Sequence, residues 1–128
     1  QVACQQGMTA GRAAFAAVGT LNRDRGAADR PIMEMDLALH IGNVLYGNVG
    51  AEGRLDFTVI GPAVNEASRI EAMCGELDRN WLVSEAFFEQ ARHCSNDLQF
   101  MGQHQLRGLR GTRALYSLPL DKIRQAAP

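Results

Sequence analysis

The sequence predicts an α+β domain in which helices pack on a largely antiparallel sheet. Three observations carry this. Residues 33–41 alternate apolar and polar side chains with a period of two. Residues 5–22 are rich in Ala and carry apolar positions near helical spacing. Residues 61–74 open on Gly61-Pro62 and continue with an apolar stripe at helical spacing.

In chain order, Met8, Ala14, Phe15, Val18 and Leu21 place one apolar face on a helix over 5–22. The polar segment 23–31 ends in Pro31 and reads as a loop. Met33, Met35, Leu37, Leu39 and Ile41 alternate with Glu34, Asp36, Ala38 and His40, giving a strand with one buried and one wetter face. Gly42 and Asn43 break it. Val44, Leu45 and Tyr46 read as a second strand, which the glycine-rich run Gly47, Asn48, Val49 and Gly50 turns. Residues 54–60 form a third. Pro62 suits a first helical turn, and Ala63, Val64, Ala67, Ile70, Met73 and Cys74 make the stripe of the helix it opens. Trp81, Leu82 and Val83 form a short strand. Ser84 is a fitting N-cap for a helix over 85–93. Strands near 98–107 and 113–118 complete the domain, and a polar tail from Asp121 to Pro128 is expected to fray. The helices are expected on one side of the sheet.

A chain of 128 residues holds one domain or part of one. With 46% hydrophobic but only 6% aromatic residues, its core must rest on aliphatic side chains. The 13 basic and 14 acidic residues give a net charge of −1, which argues against a nucleic-acid-binding protein. Cys4, Cys74 and Cys94 are odd in number and form no C-x-x-C pair. They speak against a disulfide framework or a cysteine zinc site and fit a reducing, cytoplasmic compartment. No apolar run approaches the roughly 20 residues of a membrane span, and no signal peptide is visible. The first residue is Gln1, so the chain is expected to be part of something longer, and any membrane tether would lie elsewhere in it.

The segment 54–71 concentrates the chemistry. A strand through Thr58 turns at Gly61 and becomes a helix on which Asn65 and Arg69, four residues apart, share one face opposite the apolar stripe. Such groups suit phosphoryl transfer. Charge builds on phosphate oxygens in the transition state, and fixed cations and donors stabilise it. The guanidinium fork matches phosphate oxygens. Asn positions a ribose oxygen without adding charge. Spacing alone carries little, because Asn and Arg four apart occur on many solvated helices.

The order of motifs is more specific. Leu39-His40-Ile41-Gly42, then Gly47-Asn48-Val49-Gly50, then Asp56-Phe57-Thr58-Val59-Ile60-Gly61-Pro62-Ala63-Val64-Asn65-Glu66-Ala67-Ser68-Arg69-Ile70-Glu71 resembles the catalytic domain of class III adenylate and guanylate cyclases. The match is close over about 35–75, and Leu106-Arg107-Gly108 resembles a late turn of that family. The resemblance implies a ferredoxin-like palm that works as a homodimer with active sites at the interface. It implies conversion of a purine nucleoside triphosphate, ATP favoured, into a 3′,5′-cyclic monophosphate and pyrophosphate for intracellular signalling. Asn65 matches the family's ribose-orienting asparagine and Arg69 its transition-state arginine. Thr58 falls at the purine-contacting position, and Arg107 matches a basic residue that reaches the terminal phosphates. Two divalent ions, Mg or Mn, belong to the complete enzyme.

The sequence departs from the family in one respect. The family's two metal-binding aspartates and its purine-contacting lysine have no counterpart, because the resemblance begins after them. Residues 1–120 are therefore expected to be a partial catalytic domain that lacks its first third. It would carry the transition-state residues but no metal ligands, be inactive alone, and expose a sheet edge. The rival reading is a non-catalytic cyclase-like dimerisation or nucleotide-sensing module. His40 is read as structural, His93 and His104 lack partners at metal spacing, and Asp36, Asp56 and Glu34 are read as solvent-facing. The glycines Gly47, Gly50 and Gly53 precede no phosphate-loop lysine and are read as turn residues. Of Arg107, Arg110 and Arg113, only Arg107 is assigned a functional role.

Overall fold

A computed structural model describes residues 1–48, 50–93 and 95–119. Val49, Cys94 and the tail expected over 121–128 lie outside the described residues. The order is α1 (Val2–Ala27), β1 (Leu37–Leu39), β2 (Leu45–Asn48), β3 (Phe57–Ile60), α2 (Pro62–Ala72), α3 (Cys74–Leu77), β4 (Trp81–Ser84), α4 (Glu85–Ala91), β5 (Gln99–Gln105) and β6 (Thr112–Ser117). Four strands form a sheet in the order β1-β4-β6-β5, and β2 pairs with β3 in a separate ribbon. Only the β1–β4 pair is parallel. The α+β class and the largely antiparallel sheet are as the sequence predicts.

The helices do not lie on one side. Trp81 and Val83 of β4 point into a core with Cys4, Met8 and Phe15 of α1 and Phe87 and Ala91 of α4. Leu82 points the other way, into a core with Ile70, Cys74, Leu106 and Leu115. A central strand covered on both faces buries both phases of its alternation, so all four residues of β4 are buried, and the polar one, Ser84, is hydrogen-bonded. The same covering overturns the expectation of a wetter face on β1. Leu37 and Leu39 join the first core and Ala38 the second.

Strand β1 is also shorter than the alternation over 33–41. It pairs only with β4, and β4 passes directly into α4, so the ladder has no further partner. Upstream, the Asn22 side chain takes the place of a strand. Its amide donates to the Met33 carbonyl at 2.8 Å, and its oxygen accepts from the Met33 N–H at 2.7 Å. Asn22 lies on α1, which runs on to Ala27 through part of the stretch 23–31 that reads as a loop.

The buried residues of α1 are Cys4, Met8, Gly11 and Phe15, spaced along one face, whereas Leu21 is exposed. Gly11 permits close approach, because a Cβ there would stand 2.6 Å from the Trp81 ring and 2.8 Å from Leu37 Cδ2. One turn on, Phe15 stacks on Trp81 with centroids 5.4 Å apart. The β2–β3 ribbon stands outside both cores. Leu45, Tyr46, Phe57 and Ile60 are exposed on it.

Candidate active site

Strand β3 delivers the chain into α2 through Gly61. Its φ of 137° is one that residues with a Cβ rarely adopt, and Pro62 follows at the first helical position. The N–H groups of Val64 and Asn65 donate to the Gly61 carbonyl, closing the first turn. Ile70 is fully buried and Ala63, Val64, Ala67 and Met73 are half-buried, so the predicted stripe is the packed face. Asn65 and Arg69 project from the other side and are exposed. Arg69 lies in the last turn of α2, where the helix dipole favours a cation.

Arg69 and Arg107 come together. Both line a cleft of about 360 Å³ whose other walls include Met73, Glu76, Gln105 and Leu106. Arg107 is presented there by a tight turn in which the Leu109 N–H donates to the Leu106 carbonyl at 3.1 Å and Gly108 adopts φ 79°. Two guanidinium groups at one cleft make a site for polyanionic phosphate. Thr58 is not part of it. Thr58 stands opposite Gly47 in the ribbon and lines a separate hollow of about 190 Å³ with Tyr46 and Asn48. Asn65 lines neither space. Within one chain, then, the structure unites two of the four predicted site residues.

A polar network under α2 is absent from the sequence reading. Oε1 of Glu66 accepts from Nε of Arg113 at 2.8 Å, and its Oε2 lies 3.6 Å from Nε2 of His40. Nδ1 of His40 is 2.8 Å from Oγ of Ser84. That hydroxyl also caps α4 by accepting from the Phe87 N–H at 3.1 Å, as its N-cap position predicts. The structural reading of His40 thus holds, but as a joint between elements rather than a surface residue. Glu66 and Arg113 are 47 residues apart, and no local pattern connects them.

Beneath α2, burial, with Asp36 and Glu71 adding to it, pushes the Cys74 thiol up to about 12. It stays neutral and is no nucleophile. Among the described residues, no three His, Cys, Asp or Glu side chains gather in a grouping able to hold a metal ion. No helix among them is long and apolar enough to cross a membrane.

Known proteins resemble the chain in the same terms. No known protein-family model matches it. An adenylate cyclase of Anabaena cylindrica is 41% identical over 61 residues, which is 48% of this chain and 12% of that protein. The guanylyl cyclase Cya2 superposes with a TM-score of 0.74 at 21% identity, over 90% of this chain and 57% of that structure. The adenylyl cyclase CyaB from P. aeruginosa superposes with a TM-score of 0.53 at 26% identity, over 62% of this chain and 39% of that one. The chain spans about an eighth of the length of the Anabaena relative and little more than half of the longer structural match. In fold and in the ordered motif across β3 and α2, the chain is similar to the catalytic domains of adenylyl and guanylyl cyclases.

Proposed function

We propose that this chain supplies the transition-state half of a nucleotide cyclase site that converts a purine nucleoside triphosphate, ATP favoured, into its 3′,5′-cyclic monophosphate and pyrophosphate. One observation carries the reading. Arg69, at the family's transition-state position, shares a cleft with Arg107, the residue matched to terminal-phosphate binding. In the reaction the ribose 3′-oxygen forms a bond to the α-phosphorus, and the bond from that phosphorus to the pyrophosphate oxygen breaks. Arg69 stabilises the charge that develops on the phosphoryl oxygens. Asn65, one turn earlier on the same face, orients the ribose. Thr58 contacts the purine, and Arg107 holds the phosphates that leave.

Thr58 and Asn65 stand outside the arginine cleft, which fits a homodimeric site completed by a second subunit. Divalent Mg or Mn would neutralise the triphosphate, held by ligands other than the described residues. A reaction that consumes a nucleoside triphosphate fits a cytoplasmic setting.

The test is cyclic nucleotide production by the full-length protein, given ATP or GTP with manganese. Asn65→Ala and Arg69→Ala are each expected to lower kcat about 100- to 1,000-fold with little change in KM. Equal losses in binding and turnover would remove the transition-state role. No product from a folded protein would favour the non-catalytic dimerisation or nucleotide-sensing module.

A further inference from the structure

Asn65 and Arg69 act only if α2 holds its rotation and height. Glu66 stands next to one and three residues before the other, and both of its carboxylate oxygens are engaged. One accepts from Arg113 of β6 at 2.8 Å. The other faces His40, just past β1, at 3.6 Å, and His40 is bonded in turn to Ser84 at the β4–α4 junction. Arg113 is itself pinned, because its Nη1 donates to the carbonyls of Arg110 at 2.8 Å and Thr112 at 3.2 Å. Among the described residues, Glu66–Arg113 is the ion pair that reaches α2, and His40 lies against the same carboxylate. The network therefore ties the helix to β1, β4 and β6 at one point, directly beside the two reactive positions.

Magnitudes decide what such a network is for. The Glu66 side chain is 20% exposed and that of Arg113 36%. Partly solvated pairs of this kind contribute little to stability. A displacement of about 1 Å at a reacting group, by contrast, can cost about 100-fold in rate. We infer that Glu66 is a positioning residue, clamped by Arg113 and His40, that fixes α2 so that Asn65 and Arg69 meet the reacting groups in register. This rests on the cyclase reading above.

The experiment compares Glu66→Ala, Glu66→Gln and Asn65→Ala in the full-length protein, with kcat and KM normalised to folded enzyme. Glu66→Ala is expected to lower kcat about 10- to 100-fold while KM moves less than about threefold. Glu66→Gln keeps an acceptor oxygen for Arg113 and is expected to recover much of the loss. Turnover by Glu66→Ala within about twofold of the parent protein, or lost only in step with the folded fraction, would overturn the clamp. If Asn65→Ala leaves turnover intact, or the parent protein makes no cyclic nucleotide, the cyclase reading fails instead. The clamp is then judged by NMR on the same proteins. Displaced signals of the Asn65 side-chain amide and the Arg69 Nε–H in Glu66→Ala uphold it, and unmoved signals overturn it.

Discussion

Cys74 shows how a single residue can carry a pH dependence that its sequence context does not announce. As a member of the α2 stripe it was legible only as apolar. In the structure its thiol is raised from 9.0 to about 12, first by burial and then by Asp36 and Glu71. The sign follows from linkage. Below pH 9 the thiol is protonated whether the chain is folded or not. Above it the unfolded chain releases a proton that the folded chain keeps, so stability falls as pH rises from 9 towards 12. Each pH unit in that window costs about 1.4 kcal/mol for one such group. Denaturant midpoints between pH 8 and 11 are expected to fall less steeply in Cys74→Ala than in the parent chain. Equal slopes would mean that Cys74 does not titrate this way. That Asn65 and Arg69 share a helix face was legible from their four-residue spacing, whereas the roles expected of them came from the family resemblance alone. Glu66 was not, since its partners arrive from β1 and β6.

For whole elements, periodicity identified what local sequence decides and missed what neighbours decide. The start of α2 is written in Gly61-Pro62, and the start of α4 in Ser84. The length of β1 is set by its partner β4, so its bounds were not visible in the residues themselves. The packing of α1 gives a direct test. In an open helix interior, Gly→Ala stabilises by about 1 kcal/mol. Gly26, in the last turn of α1 with nothing within 4 Å of its would-be Cβ, gains at most part of that. At Gly11 the added methyl meets the Trp81 ring at 2.6 Å, deep in the first core, and overpacking costs about 1–3 kcal/mol. Thermal unfolding is expected to show Gly11→Ala melting below the parent chain and Gly26→Ala at or above it. A Gly11→Ala chain as stable as Gly26→Ala would show that α1 does not approach the sheet this closely.

Across the whole molecule, one sheet divides two cores, and the division sorts stability from function. The core with α1 and α4 contains neither Asn65 nor Arg69 on its helices. The core with α2 lies directly under both. Strand alternation puts the adjacent Trp81 and Leu82 on opposite faces, but which helices cover each face depends on contacts between residues far apart in the chain, which the sequence reading did not supply. Met8, in the first core, and Ile70, in the second, are both buried. Truncating either to Ala is expected to cost about 2–5 kcal/mol. Because they lie on opposite faces with no shared cluster, the two losses should add to within about 0.5 kcal/mol in the double variant. Their functional effects should differ. A cavity under Ile70 lets α2 settle and shifts Arg69 relative to Arg107, whereas a cavity at Met8 leaves that cleft intact. Nucleotide turnover per folded molecule, measured well below the melting point of each variant, is therefore expected to fall in Ile70→Ala and to hold in Met8→Ala. Equal turnover in the two would mean that α2 keeps its place without its core contact, leaving the polar network around Glu66 to hold it alone.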